Sequence, residues 1–318
     1  MSVVIPAFNE ENQIASCLES VSANDYPSFE VIVVDDCSVD KTAEIASRYP
    51  VVLVRRESRG GIARARNDGI AVAGGTLIAF TDCDCRPNRD WLTRMVERVY
   101  ESKASIVAGR VITDFFKVLP PIFAANINLG TEPLSASTSN VIYERSALLA
   151  AGSFDPEFKR TSDYDLMLRV MADGHKLAFC DEGVVFHEIE HVGLVGLWKR
   201  SAECRYSALL FKRYPGWTRK WLRMKGPFTR LTIALGFVVF CAFLSLVLSL
   251  VLNMVEMPLL LIAAFLVYAM AYRRSMIAKG ARVTLRRVLL GSMAMLIYSV
   301  FAFVWNVRGS IRYRALLL

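Results

Sequence analysis

The chain has 318 residues, a formal net charge of +8 and a hydrophobic fraction of 54%, enough for one large domain or two smaller ones. Its seven cysteines are odd in number and lack the spacing of a disulfide framework or zinc knuckle, which points to a reducing compartment and small buried thiols. The basic excess sits in two segments beside hydrophobic runs and is not interleaved with aromatics over a soluble face, so a membrane surface is the expected partner and nucleic acid is not.

Ser2–Ala7 reads as an apolar strand, opening the chain with no cleavable signal before it. Asn9-Glu10-Glu11 follows as a helix start with its acids in the first turn, where the helix dipole favours them, and Ile14, Leu18 and Val21 recur at helical spacing. Phe29–Asp36 is a second strand whose unbroken apolar run suits a parallel strand covered on both faces. Asp40–Arg48 reads as a helix, Val51–Val54 as a strand, Ile62–Ala73 as a helix and Leu77–Asp82 as the fourth strand. This alternation predicts a doubly wound α/β fold with a mostly parallel sheet, whose ligands bind outside the carboxyl ends of the strands. Asp35, Asp36, Asp82 and Asp84 all fall at such ends. No G-x-G-x-x-G follows the first strand, which disfavours a dinucleotide-binding domain.

The stretch Thr76–Cys85, TLIAFTDCDC, ends in two carboxylates. Residues two apart share a face of an extended strand, so Asp82 and Asp84 can face one pocket while Cys83 and Cys85 turn away. Paired carboxylates suit Mg²⁺ or Mn²⁺, which complete their shells with water and substrate phosphates. Four acids on one edge repel one another unless cations compensate them. Arg64 and Arg66 lie in RGGIARARND, where Gly60 and Gly61 allow close backbone approach and a guanidinium can grip a diphosphate. A solvated strand end, with the arginines paired to surface acids, is the plain alternative.

The order VVIPAFNE (Val3–Glu10), VIVVDDCSVDKT (Val31–Thr42), GGIARARNDGI (Gly60–Ile70), FTDCDC (Phe80–Cys85), AGSFDPEF (Ala151–Phe158) and SDYDLMLRVMADGHKLAF (Ser162–Phe179) resembles a family 2 glycosyltransferase of the GT-A fold over roughly residues 1–190. The resemblance implies a Rossmann-like sheet flanked by helices and a nucleotide-diphosphate sugar as donor. It implies that Pro6, Glu10 and Asp36 line the nucleotide pocket, with Asp36 on the base, and that Arg66 lies by the donor diphosphate. Asp82 and Asp84 would form the metal-binding Asp-x-Asp, Asp82 also touching the donor, and His187 would complete the metal shell. Asp163 would be the catalytic base, although Ser162 stands where the family often has a further acid.

Sugar transfer needs a Lewis acid on the leaving diphosphate, a base for the acceptor hydroxyl and exclusion of water. One base with no evident carboxylate nucleophile favours direct displacement with inversion. By position alone Asp163 reads as a helix cap, a reading only the family resemblance reverses, and Asp165 competes for the role of base. His175 and His191 read as surface residues. Thr113–Ser139, apolar but interrupted by Pro120 and Pro121, is expected on the acceptor side or as a buried loop.

The domain reading is a catalytic unit over 1–192, basic interfacial helices over 193–230 and a membrane region over 231–318. Between Leu197 and Arg230 ten Lys or Arg stand against one acid, and six more between Arg273 and Arg287 stand against none. Leu197–Tyr214 reads as an interfacial helix. Leu231–Val255, Met257–Tyr272 and Val288–Val307 carry no charged residue and read as spans, with a re-entrant or interfacial third segment as the alternative, the basic flanks placing the catalytic unit in the cytoplasm at the cell membrane. The leading function is metal-dependent transfer to a lipid-linked or saccharide acceptor. Alternatives are a processive polysaccharide synthase, for which a Gln-x-x-Arg-Trp motif is missing, and a non-catalytic glycan-binding membrane protein. A nucleotidyltransferase would want a Gly-rich phosphate loop, and a transporter ionisable residues within its spans.

Overall fold

The structure is a computed structural model that describes residues 1–113, 136–159, 161–188, 201–218 and 300–314, together with the single positions 198, 266, 269, 270 and 273. The described residues fall into two compact units, one holding those up to position 188 and the other those from 198 onward.

The first unit alternates strand and helix from its start: β1 Ser2–Ala7, α1 Ile14–Ser22, β2 Glu30–Asp35, α2 Thr42–Ala46, β3 Val52–Arg55, α3 Ile62–Val72 and β4 Leu77–Phe80. There follow β5 Cys85–Pro87, α4 Trp91–Ser102, β6 Ile106–Thr113, β7 Val141–Glu144, α5 Arg145–Ala150, α6 Ser162–Ala172 and β8 Leu177–His187. These strands form one sheet in the order β3-β2-β1-β4-β7-β6-β8-β5. β1 to β4 run parallel, as their unbroken apolar runs require of strands buried on both faces. β7 enters antiparallel to β4 and to β6, and the sheet is mixed from there on.

Side chains of β1 divide between the two faces with the period of a strand. Val3, Ile5 and Ala7 join Ile14, Cys17, Leu18 and Val21 of α1 and Trp91, Leu92, Met95, Val96 and Val99 of α4 in one buried cluster. Val4 faces α3 instead. There a Cβ on Gly69 would stand 2.4 Å from Val4 Cγ1, so a glycine lets α3 lie against the sheet. Pro6 shares Val4's side of the ladder, and it is tolerated because pairing with β4 ends at Val4↔Phe80, before its missing N–H would be needed.

β8 carries a bulge. Gly109 of β6 pairs with Cys180 and the next residue, Arg110, with Val184, leaving Asp181, Glu182 and Gly183 as extra chain. Burial follows the shift: Cys180 is buried, Asp181 and Glu182 are exposed, and Gly183 and Val185 are buried. Asn140 fastens the bulge from inside, donating from Nδ2 to the carbonyls of Arg110 and Gly183 while Oδ1 accepts from Trp91 Nε1 at 2.8 Å.

Two expectations change in physical detail. α1 starts at Ile14, so Glu10 and Glu11 precede it and its first turn holds no acid. Asn9 sits at φ 57, and residues 9–11 are laced to the loop after β2 by Asn9 N–H to Ser38 Oγ, Glu10 N–H to Thr42 Oγ1 and Glu11 N–H to Asp40 Oδ2. Side-chain acceptors of the β2 loop thus satisfy the backbone donors of residues 9–11 and hold them in a loop ahead of the helix. β4 stops at Phe80, and the Asp82 carbonyl accepts from Cys85 N–H at 3.0 Å, so Asp82–Cys85 is a turn and not the extended strand end expected.

In the second unit the expected helix Leu197–Tyr214 is broken by a 3₁₀ turn at Ala202–Cys204, before α7, Arg205–Arg213. α7 buries Tyr206, Ala208, Leu209 and Leu210 and exposes Lys212. Trp198 packs edge-on against Phe301, with ring centroids 4.9 Å apart. Leu231–Val255 and most of the other two expected spans lie outside the described residues, as does most of Thr113–Ser139. Among the described residues no helix is long and apolar enough to cross a membrane.

Candidate functional site

The carboxyl ends of β1, β2 and β4, the start of α3, the first turn of α6 and the end of β8 supply the expected site residues. Asp36 follows β2 and is almost wholly buried. Its Oδ1 accepts from Gly60 N–H and its Oδ2 from Gly61 N–H, each at 2.7 Å, and Arg56 Nε lies 2.9 Å from Oδ1. Gly61 adopts φ 86, a conformation that favours glycine, as it caps α3. Asp36 is therefore the anchor of the loop that opens α3. Pro6 is buried in β1, its carbonyl accepting from Cys83 Sγ at 3.3 Å, and Glu10 is half-buried in the laced loop beside it.

Asp82 and Asp84 have different partners. Arg66 Nη2 donates to Asp82 Oδ1 at 2.7 Å and Ser139 Oγ donates to Asp82 Oδ2 at 3.1 Å, so each oxygen of Asp82 accepts one hydrogen bond. The arginine expected at a diphosphate is instead 3% exposed and paired with Asp82. An isolated buried guanidinium is costly, which accounts for the pairing.

Asp84 meets His187. Its Oδ2 lies 3.4 Å from His187 Nε2, and burial pushes the Asp84 carboxyl up, with His187 opposing the rise and Asp82 adding to it. Neighbouring ligands of an octahedral ion at about 2.1 Å stand about 3 Å apart, so this pair suits Mg²⁺ or Mn²⁺. Among the described residues, the cluster able to hold a metal is Asp84, Cys85 and His187. Cys85 was expected to turn away. The β5–β8 register sets it opposite His187, a pairing across 102 residues that the sequence pattern does not disclose.

Asp163 and Asp165 both lie in the first turn of α6 but have different surroundings. Asp165 is fully buried, its Oδ2 accepting from Arg169 Nε at 2.9 Å, while Arg169 also donates to the carbonyls of Ala151 and Ser153. That network is structural and removes Asp165 as the competing base. Asp163 is half-buried. Its charge acts on the Tyr143 hydroxyl, a fully buried group without a hydrogen-bond partner, which burial and then Asp163 push above the ordinary phenol range. His175 Nδ1 lies 2.8 Å from Ser105 Oγ, away from these residues, and His191 lies outside the described residues. Ser139 and Tyr143 were not anticipated, because β7 reaches the site by an antiparallel pairing that no local pattern marks.

The family model described as Glycosyl transferase family 2 matches residues 2–144. The amylovoran biosynthesis glycosyltransferase AmsB of Erwinia amylovora is 32% identical over 214 residues, 60% of this chain and 71% of that protein. Glycosyltransferase AglE of Haloferax volcanii is 39% identical over 119 residues, 35% of this chain and 39% of the relative, so the match spans well under half of that protein. The mannosyltransferase PcManGT of Pyrobaculum calidifontis, solved with GDP-Man and Mn²⁺, superposes with a TM-score of 0.67 at 19% identity, covering 96% of this chain and 86% of that one. Staphylococcus aureus TarS 1–349 with UDP-GlcNAc gives 0.51 at 21% identity over 64% and 66% of the two chains. These structural likenesses establish a shared fold.

Proposed function

Because this chain belongs to glycosyl transferase family 2, we propose that it transfers a sugar from a nucleotide-diphosphate sugar to a saccharide or lipid-linked acceptor, with inversion and with a divalent metal. The observation that carries this reading is the pair Asp84 Oδ2 and His187 Nε2, 3.4 Å apart at the edge where ligands of such sheets bind. Mg²⁺ or Mn²⁺ held there would supply a Lewis acid for the leaving diphosphate.

The chain's own residues divide the remaining work. Asp36 holds the Gly60-Gly61 loop, and with Pro6 and Glu10 it lines the nucleoside pocket. Asp82 restrains Arg66 behind that loop, where the guanidinium adds positive potential toward a bound diphosphate. Asp163 takes the proton from the acceptor hydroxyl as that oxygen attacks the anomeric carbon. Asp165, locked to Arg169, keeps the first turn of α6 in place for it. The amylovoran biosynthesis relative supports a saccharide acceptor. The basic segments around the uncharged runs support attachment at the cytoplasmic face of the cell membrane.

The test is to incubate the purified protein in detergent with a panel of nucleotide sugars, with and without Mn²⁺, and to measure nucleoside diphosphate release. Metal-dependent release with at least one donor is expected. Absence of both turnover and donor binding across the panel would sink the enzyme reading.

A further inference from the structure

A metal on Asp84 and His187 would meet a third side chain. Cys85 stands opposite His187 in the antiparallel β5–β8 pair, and opposed residues in such a pair carry their Cβ atoms about 4.5–5.5 Å apart on one face. Its Sγ lies 3.6 Å from Asp84 Oδ1, and one ligand atom from each of Asp84, Cys85 and His187 falls within 4.8 Å of the others.

The neighbouring thiols are directed elsewhere. Cys83 donates to the Pro6 carbonyl at 3.3 Å and Cys17 to the Asp82 carbonyl at 3.5 Å. Both are satisfied by backbone, whereas the Cys85 thiol donates to the carboxylate that faces His187. Asp84 keeps 36% of its side chain exposed, so an ion can reach the cluster from that side although Cys85 itself is fully buried.

We propose that Cys85 is a third protein ligand of the ion and that its sulfur makes the site thiophilic, taking Co²⁺ or Zn²⁺ in preference to Mg²⁺ or Mn²⁺. Soft thiolate ligands favour zinc over the hard ions that carboxylates accept. The inference rests on the reading of Asp84 and His187 as metal ligands. On binding, the S–H bond breaks, the sulfur lone pair forms the bond to the ion, and the thiol proton leaves to buffer, one per ion. The consequence is selective. With three protein ligands, octahedral Mn²⁺ keeps three positions for diphosphate oxygens and water, while tetrahedral Zn²⁺ keeps one, so zinc occupies the site without supporting transfer.

The experiment is a Co²⁺ titration of the full chain followed by absorption. A thiolate-to-cobalt charge-transfer band in the near ultraviolet is expected, saturating at one equivalent. It disappears in Cys85→Ser and Cys85→Ala and persists in Cys83→Ser. In competition, the preference for Zn²⁺ over Mn²⁺ falls by about tenfold or more in Cys85→Ser. Co²⁺ that binds wild type in an Asp84-dependent way without the band overturns the inference and leaves the Asp84–His187 reading standing. Binding of no ion, or binding unchanged in Asp84→Asn, overturns both. The band is read on wild-type protein, so its presence or absence does not depend on a variant folding.

Discussion

Arg66 and Asp82 form an ion pair, Nη2 to Oδ1 at 2.7 Å, in which the arginine side chain is 3% exposed and the aspartate 23%. Removing one partner of such a pair strands a buried charge. Asp82→Ala should therefore cost about 3 kcal/mol, and Asp82→Asn, which keeps an acceptor, clearly less. Urea denaturation of both variants checks this. An Asp82→Ala midpoint equal to wild type would show that the pair contributes nothing.

The two acids of α6 should separate by measurement. Asp165→Asn weakens the contact between the fully buried Asp165 and the partly exposed Arg169, with an expected loss of about 2–3 kcal/mol. Asp163→Asn should leave the unfolding free energy from urea denaturation within about 0.5 kcal/mol of wild type and lower transfer by about 10²-fold or more, with donor binding retained. Full transfer activity in Asp163→Asn would remove it as the base.

Asp84 has its proton affinity raised by burial, against the opposing effect of His187. A carboxylate raised in the folded state is strained while ionised, so through this group the metal-free protein gains stability as pH falls through the folded value. An ion requires the ionised form. The rise in melting temperature on adding Mn²⁺ should thus shrink as pH falls, beginning at a higher pH than an exposed aspartate would give. The rise should be absent in Asp84→Asn. A pH-independent rise would contradict the assignment.

Glu30 behaves in the opposite sense. The Ser2 hydroxyl, 2.6 Å from Oε1, lowers its pKa first, burial opposes that, and the N–H groups of Gly74 and Gly75 lower it further. Its contribution is present above the unfolded value and is lost as pH falls through the folded one. Glu30→Gln should lower stability at about pH 7 and converge with wild type at about pH 3, as read by urea midpoints at the two values. A gap that persists in acid would assign the effect to packing instead of charge.

The first half of the sheet was legible in the sequence because parallel strands buried on both faces are unbroken apolar runs, as Val31–Val34 is. The second half was not. β7 joins β4 antiparallel, and β5 joins β8 across 102 residues, pairings set by tertiary closure and not by local pattern. Asp84 Oδ2 and His187 Nε2 stand 3.4 Å apart across the β5–β8 pairing. The partner of Arg66 stayed open in the sequence, because a charge pattern shows which residues are near one edge but not which of them dehydrate together. The dismissal of Cys85 had a similar cause: it assumed an extended strand where Asp82–Cys85 makes a turn.

The three extra residues of β8 give the length of that strand a meaning apart from its composition. An odd insertion reverses which side chains point inward, and His187 lies four residues beyond Gly183, on the inward parity that the bulge creates. Deleting Glu182 alone, with Gly109 still paired to Cys180 and three residues still bulged, would draw each later residue one place back and bring Glu188 to the place His187 holds. A single lost codon in the bulge would thus replace an imidazole with a second carboxylate beside Asp84.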